Sequence, residues 1–71
     1  MEISVIRLRR ANELKSFRIE LLVSQKMLSE LSGLTRQTII NIEAGKIGWN
    51  IDSEILYFEA LKKYQLNKLS A

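Results

Sequence analysis

Three side chains suited to reading base edges lie within six positions of one another: Arg36, Gln37 and Asn41. A guanidinium donates bidentately to guanine in the major groove, and the amides of Gln and Asn pair in the same way with adenine. Catalytic alternatives are thin. With no histidine and no cysteine in the chain, the commonest general base, the thiolate nucleophile and the usual soft metal ligands are missing. No Gly-rich loop is present to cradle a phosphate, and no spaced carboxylates suggest a metal site. The chemistry these residue types support is recognition; no enzyme, cofactor or metal is expected.

Recognition by side chains needs a rigid support, and the flanking residues provide one. Ser24 is placed to cap a short helix over Gln25–Ser32, in which Met27, Leu28 and Leu31 form the apolar face. Gly33 follows where a left-handed cap is wanted, and Leu34 plugs the corner. Thr35 then caps a second helix running to Glu43, held to a core by Ile39 and Ile42 and closed by Ala44-Gly45. Two short helices joined by a Gly-containing turn describe a helix-turn-helix at about 25–43. The arrangement leaves Arg36, Gln37, Thr38, Ile40 and Asn41 on outer faces. Ile40 is unusual there, and a thymine methyl is one contact it suits.

The rest of the 71 residues supplies the scaffold. The chain lacks proline and has only three glycines, so breakers are few and an all-α fold is expected. From Asn12, the residues Leu14, Phe17 and Leu21 share one helix face, widened by Ile19 and Leu22. Residues 1–11 mix strand formers (Ile3, Val5, Ile6) with helix formers after Arg7. The reading leans to a helical extension there, with a separate strand or arm as the alternative. Arg7, Arg9 and Arg10 are either ordinary solvated charges or an arm that tracks phosphates. After a loop containing Gly48 and Trp49, Asn50 or Asp52 opens a further helix. Ile51, Ile55, Phe58 and Lys62 mark one stripe of it, and Leu56, Tyr57, Ala60, Leu61 and Tyr64 overflow that stripe. Tyr57 and Tyr64, a heptad apart, suit either a dimer seam or core packing with exposed hydroxyls. Trp49 is assigned to core or dimer packing. The segment from Gln65 reads as a frayed end. The domain is therefore placed at 12–66, with 1–11 as an extension and 67–71 as a tail.

Charge is uneven. Residues 1–36 carry seven Lys/Arg against four acids, and residues 37–71 carry four against four, so the net +3 sits in the first half. A basic half suits a polyanionic partner. The absence of cysteine fits a cytoplasmic setting, and no apolar run approaches the roughly 18 residues of a membrane span.

Residues 14–61 resemble the lambda-repressor-like helix-turn-helix domain of the Cro and xenobiotic-response-element type. The string Ser24-Gln25…Leu28-Ser29…Gly33-Leu34-Thr35-Arg36-Gln37-Thr38-Ile39…Ile42-Glu43…Gly45 carries the resemblance, with Phe17-Arg18 matching the family's Leu-Arg pair in helix 1. It implies a compact domain of four to five helices whose last two close the core and often make a dimer contact. It implies that Arg36, Gln37 and Asn41 read bases. Gln25 would touch phosphate or a neighbouring base-reading side chain, and Thr35 and Thr38 would lie near the sugar–phosphate backbone. Ala44, Gly45 and Lys46 would present backbone amides and a basic side chain to phosphate. Arg18 and Glu43 would form a structural ion pair joining helices 1 and 3, as a partly buried charge requires.

The chain departs from the pattern at several places. Leu22-Val23 stand where Gly or Asn usually precedes Ser-Gln, and Ser29 stands where Ala is usual. Gly48-Trp49 replace Asn-Pro, and Glu54 takes a place usually held by Leu. The expected function is sequence-specific binding of double-stranded DNA as a transcriptional regulator, most often a repressor, acting as a homodimer on half-sites about 34 Å apart. The alternative is a protein-interaction module, such as an antitoxin-like partner, using the apolar surface of helix 51–64.

Overall fold

The computed structural model describes residues 3–46 and 51–70 and is helical throughout: α1 Ile3–Glu20, α2 Gln25–Ser32, α3 Arg36–Ala44 and α4 Ile51–Ser70. Trp49, Gly48 and Asn50 lie outside the described residues. Helix α1 runs without a break from Ile3, so the strand formers near the start are absorbed into it. No Gly or Pro interrupts residues 3–20. At the other end α4 stays helical past Gln65 to Ser70, where the sequence suggested fraying; again no breaker intervenes.

Local chemistry sets the helix ends. Ser24 has extended backbone (φ −76°, ψ 163°), and its hydroxyl accepts from the Met27 N–H at 3.0 Å. Thr35 repeats the arrangement at α3, accepting from the Thr38 N–H at 3.2 Å. Both satisfy an amide that a helix start leaves without a partner. Gly33 (φ 79°) and Gly45 (φ 67°) take the left-handed conformation that ends α2 and α3. Gly45 also meets α1 closely: a Cβ there would lie 3.2 Å from Leu8 Cδ2.

The end of α1 uses the same geometry with the wrong residue type. The Val23 N–H reaches the Arg18 carbonyl at 3.2 Å and the Leu22 N–H reaches Ile19 at 2.9 Å. This is the paired bonding of a Schellman motif. It places Leu22 at φ 60°, a region that favours glycine or asparagine. The Gly or Asn that the family prefers before Ser-Gln would fit this geometry without strain.

The core gathers residues from all four helices: Leu14, Val23, Leu28, Ile39, Ile42, Tyr57, Ala60 and Leu61, flanked by Phe17, Leu21, Met27, Leu34 and Tyr64. One expectation is overturned here. The inward face of α4 is Ser53, Tyr57, Ala60 and Leu61, while Ile51, Ile55, Leu56 and Phe58 are exposed. Leu56 apart, the stripe and its overflow are thus exchanged. With apolar residues on nearly every side, α4 carries no period that fixes its rotation; a polar anchor at Tyr57 does so. Asp52 lies in the first turn of α4, inside the helix and not at its cap. Glu54, in the place usually held by Leu, lies 3.9 Å from Arg10 of α1.

Candidate nucleic-acid interface

The site is built on a carboxylate that all four helices converge upon. Glu43, near the end of α3, accepts at Oε2 from Arg18 Nε (2.6 Å) and from the Tyr57 hydroxyl (2.6 Å). Its Oε1 accepts from Arg18 Nη2 and from Gln25 Nε2, each at 3.1 Å. Arg18 completes its own bonding by donating from Nη1 to the Val23 carbonyl at 2.8 Å. The Arg18 and Glu43 side chains are only 11% and 5% exposed. A pair so buried is tolerable only when its polar atoms are hydrogen-bonded, and here every side-chain nitrogen of Arg18 and oxygen of Glu43 has a partner. Helices α1, α2, α3 and α4 contribute Arg18, Gln25, Glu43 and Tyr57 in turn.

The electrostatics follow. Burial pushes the Glu43 carboxyl upward, but hydrogen bonds from Arg18, Tyr57 and Gln25 outweigh it and hold the group below its ordinary value. The hydrogen bond to Glu43 raises Arg18 against the opposing effect of burial. Burial first, and then the hydrogen bond to Glu43, raise the Tyr57 phenol well above its usual range. Tyr57 therefore remains a neutral donor. Its oxygen also lies 3.3 Å from the Leu14 carbonyl. One hydroxyl carries one proton, and the shorter, charge-assisted bond to Glu43 takes it. The expectation that Tyr57 lies on a dimer seam, or leaves its hydroxyl exposed, is overturned: the residue is 0% exposed. Sequence reasoning missed its role. The available signal was the excess of acceptor sites on a buried carboxylate over what one arginine fills.

With Glu43 anchored beneath, α3 presents its other side outward. Arg36, Gln37 and Ile40 are exposed, and Asn41 is partly so. Gln37 Nε2 donates to Asn41 Oδ1 at 3.1 Å, a one-turn pair that fixes the two amides relative to each other. That bond does not use Gln37 Oε1, the second Gln37 N–H or either Asn41 side-chain N–H. Thr35 and Thr38 bring their hydroxyls together at 2.8 Å at the start of the helix.

Two groups that the resemblance assigns to the DNA backbone already have hydrogen-bond partners within the chain. Gln25 is tied to Glu43, which leaves one amide N–H for any outside partner. The amides of Gly45 and Lys46 are occupied by the cap of α3, donating to Ile42 and Asn41 at 3.1 Å each. The Lys46 side chain beside them is exposed. Of the three early arginines, Arg10 is drawn to Glu54. Among the described residues, no group of three or more His, Cys, Asp or Glu is clustered for a metal, and no helix is long and apolar enough to cross a membrane.

A pair of short helices in contact, each capped at both ends, with an amide- and guanidinium-bearing second helix exposed, defines the helix-turn-helix class of DNA-binding domains. Comparison with known families agrees: residues 14–51, more than half the chain, match the helix-turn-helix family of lambda-repressor-like type, and the chain belongs to it. The family is one of DNA-binding transcription regulators, and this chain is of that general class. No curated protein and no solved structure is significantly similar to it.

Proposed function

We propose that the protein is a sequence-specific regulator, most plainly a repressor, that docks α3 in the major groove and binds as a homodimer to a pseudo-palindrome. The observation that carries this reading is the outward face of α3: Arg36, Gln37 and Asn41 share it, and the Gln37–Asn41 bond pre-orders two of the three. Guanidinium and amide groups at that spacing match the donor and acceptor pattern of guanine and adenine edges. Thr35, Thr38, Lys46 and the remaining N–H of Gln25 hold the sugar–phosphate backbone and set the register. With half-sites about one helical turn apart, two copies place two such helices in successive major grooves.

Selection of duplexes from a random library by the full chain tests this. A convergent motif containing guanine and adenine at adjacent steps supports it; a population that stays random after repeated rounds overturns it.

A second reading rests on the exposed Ile51, Ile55 and Phe58: α4 serves as a docking face for another protein, as in an antitoxin-like complex. Deleting α4 would remove Tyr57 and Leu61 from the core, so the variant to use is Ile55→Glu on the outer face. Loss of a heteromeric complex in that variant, with DNA binding retained, favours this reading.

A further inference from the structure

We propose that Ile40 is a specificity-determining residue of α3, whose side chain recognises the C5-methyl group of a thymine; the role rests on the major-groove docking proposed above and adds a base to those that Arg36, Gln37 and Asn41 distinguish.

The rotation of α3 is fixed from inside. Ile39 (0% exposed) and Ile42 (6%) lie in the core, and Glu43 is held by Arg18, Gln25 and Tyr57. Ile40 is therefore turned out of the core, and it is the only large apolar side chain of α3 left exposed (38%). It is more open than Asn41. Folding does not call for it. A β-branched residue on an open helix surface lowers helix propensity, and this one lies outside the core cluster.

Its neighbours identify the occupant. Ile40 follows Arg36 by four residues and Gln37 by three, so it is next to both on the succeeding turn. Asn41 adjoins it in sequence and is bonded to Gln37 at 3.1 Å. One apolar side chain among a guanidinium and two amides is too isolated a patch to dock a protein. It suits a surface that is polar at most points and apolar at one, and the major-groove edge of an A·T pair is such a surface. Adenine presents N7 and N6 to an amide, and its thymine presents O4 and a methyl group; no other base pair of unmodified DNA carries that methyl. With Gln37 or Asn41 on adenine, Ile40 meets the methyl of a thymine in the same or the adjoining pair. Taking that methyl out of water against an apolar side chain favours thymine without any hydrogen bond.

Fluorescence anisotropy of the full chain tests this on a duplex obtained by selection, with each thymine replaced in turn by deoxyuridine, which pairs identically and lacks only the methyl. At one thymine in each half-site the replacement is expected to weaken binding about fourfold, the worth of one buried methyl. At that position Ile40→Ala binds the thymine and uracil duplexes equally, and Ile40→Val keeps part of the difference. The helical circular dichroism of both variants is unchanged, because Ile40 is outside the core. A selected motif without thymine, equal binding of every uracil duplex by the unaltered chain, or an Ile40→Ala chain that still distinguishes thymine from uracil overturns the proposal. A preference for the selected over a scrambled duplex alongside any of these results leaves the base-reading role of Arg36, Gln37 and Asn41 standing; no preference in the unaltered chain removes both.

Discussion

Glu43 is a single carboxylate with four hydrogen bonds, and the consequences of disturbing it are specific. Glu43→Gln leaves the Arg18 guanidinium buried without its counter-charge, which costs about 3–5 kcal/mol; equilibrium urea unfolding measures it. The pH dependence has a definite sign. The folded chain keeps Glu43 ionised to lower pH than the unfolded chain does. The contribution of this group is therefore complete above the ordinary carboxylate value of 4.5 and declines as pH falls below it. That part of the acid slope disappears in Glu43→Gln. Leu22 is the opposite case, a residue whose replacement should stabilise. Its side chain is 81% exposed and its φ is 60°, so Leu22→Asn relieves left-handed strain while removing little packing, a gain of about 1 kcal/mol seen as a raised melting temperature.

At the scale of elements, the two short helices and their caps are legible in the sequence because each boundary has a local cause: a hydroxyl at Ser24 and Thr35, a glycine at Gly33 and Gly45. Local causes do not determine how a helix is rotated, and α4 shows this. Ile51, Ile55 and Phe58 are as apolar as Tyr57, Ala60 and Leu61, and only the bond from Tyr57 to Glu43, fourteen residues away, selects which set turns inward. The same limit applies at the end of α3. Spacing places Gly45 and Lys46 beside the reading helix, but whether their amides face outward depends on cap hydrogen bonds that spacing does not reveal. The pairing of Arg18 with Glu43 was accessible only through the family resemblance, since nothing local links residues 25 positions apart. A comparison of two glycines tests the packing of this end. Gly33→Ala and Gly45→Ala both incur the left-handed cost of about 1–2 kcal/mol. Gly45→Ala should be the worse, because its new methyl meets Leu8 while the space around Gly33 is open. Equal melting temperatures for the two variants would show that α1 does not press on the end of α3.

For the whole molecule, one buried network ties four helices together and supports the outward face of α3 that we propose reads DNA. The core residues and the Glu43 network face inward, and among the surfaces left outside are the polar edge of α3 and the apolar edge of α4. The first is the surface we propose for DNA recognition. Fluorescence anisotropy with a labelled duplex obtained by selection, and with its scrambled counterpart, tests the central claim across a salt series. The account predicts that the selected duplex stays preferred as salt rises. It further predicts that Arg36→Ala combined with Gln37→Ala abolishes the preference while leaving the weak, salt-sensitive binding to both duplexes. Equal affinity for the two duplexes in the unaltered chain, collapsing together as salt displaces it from the phosphates, would contradict the account.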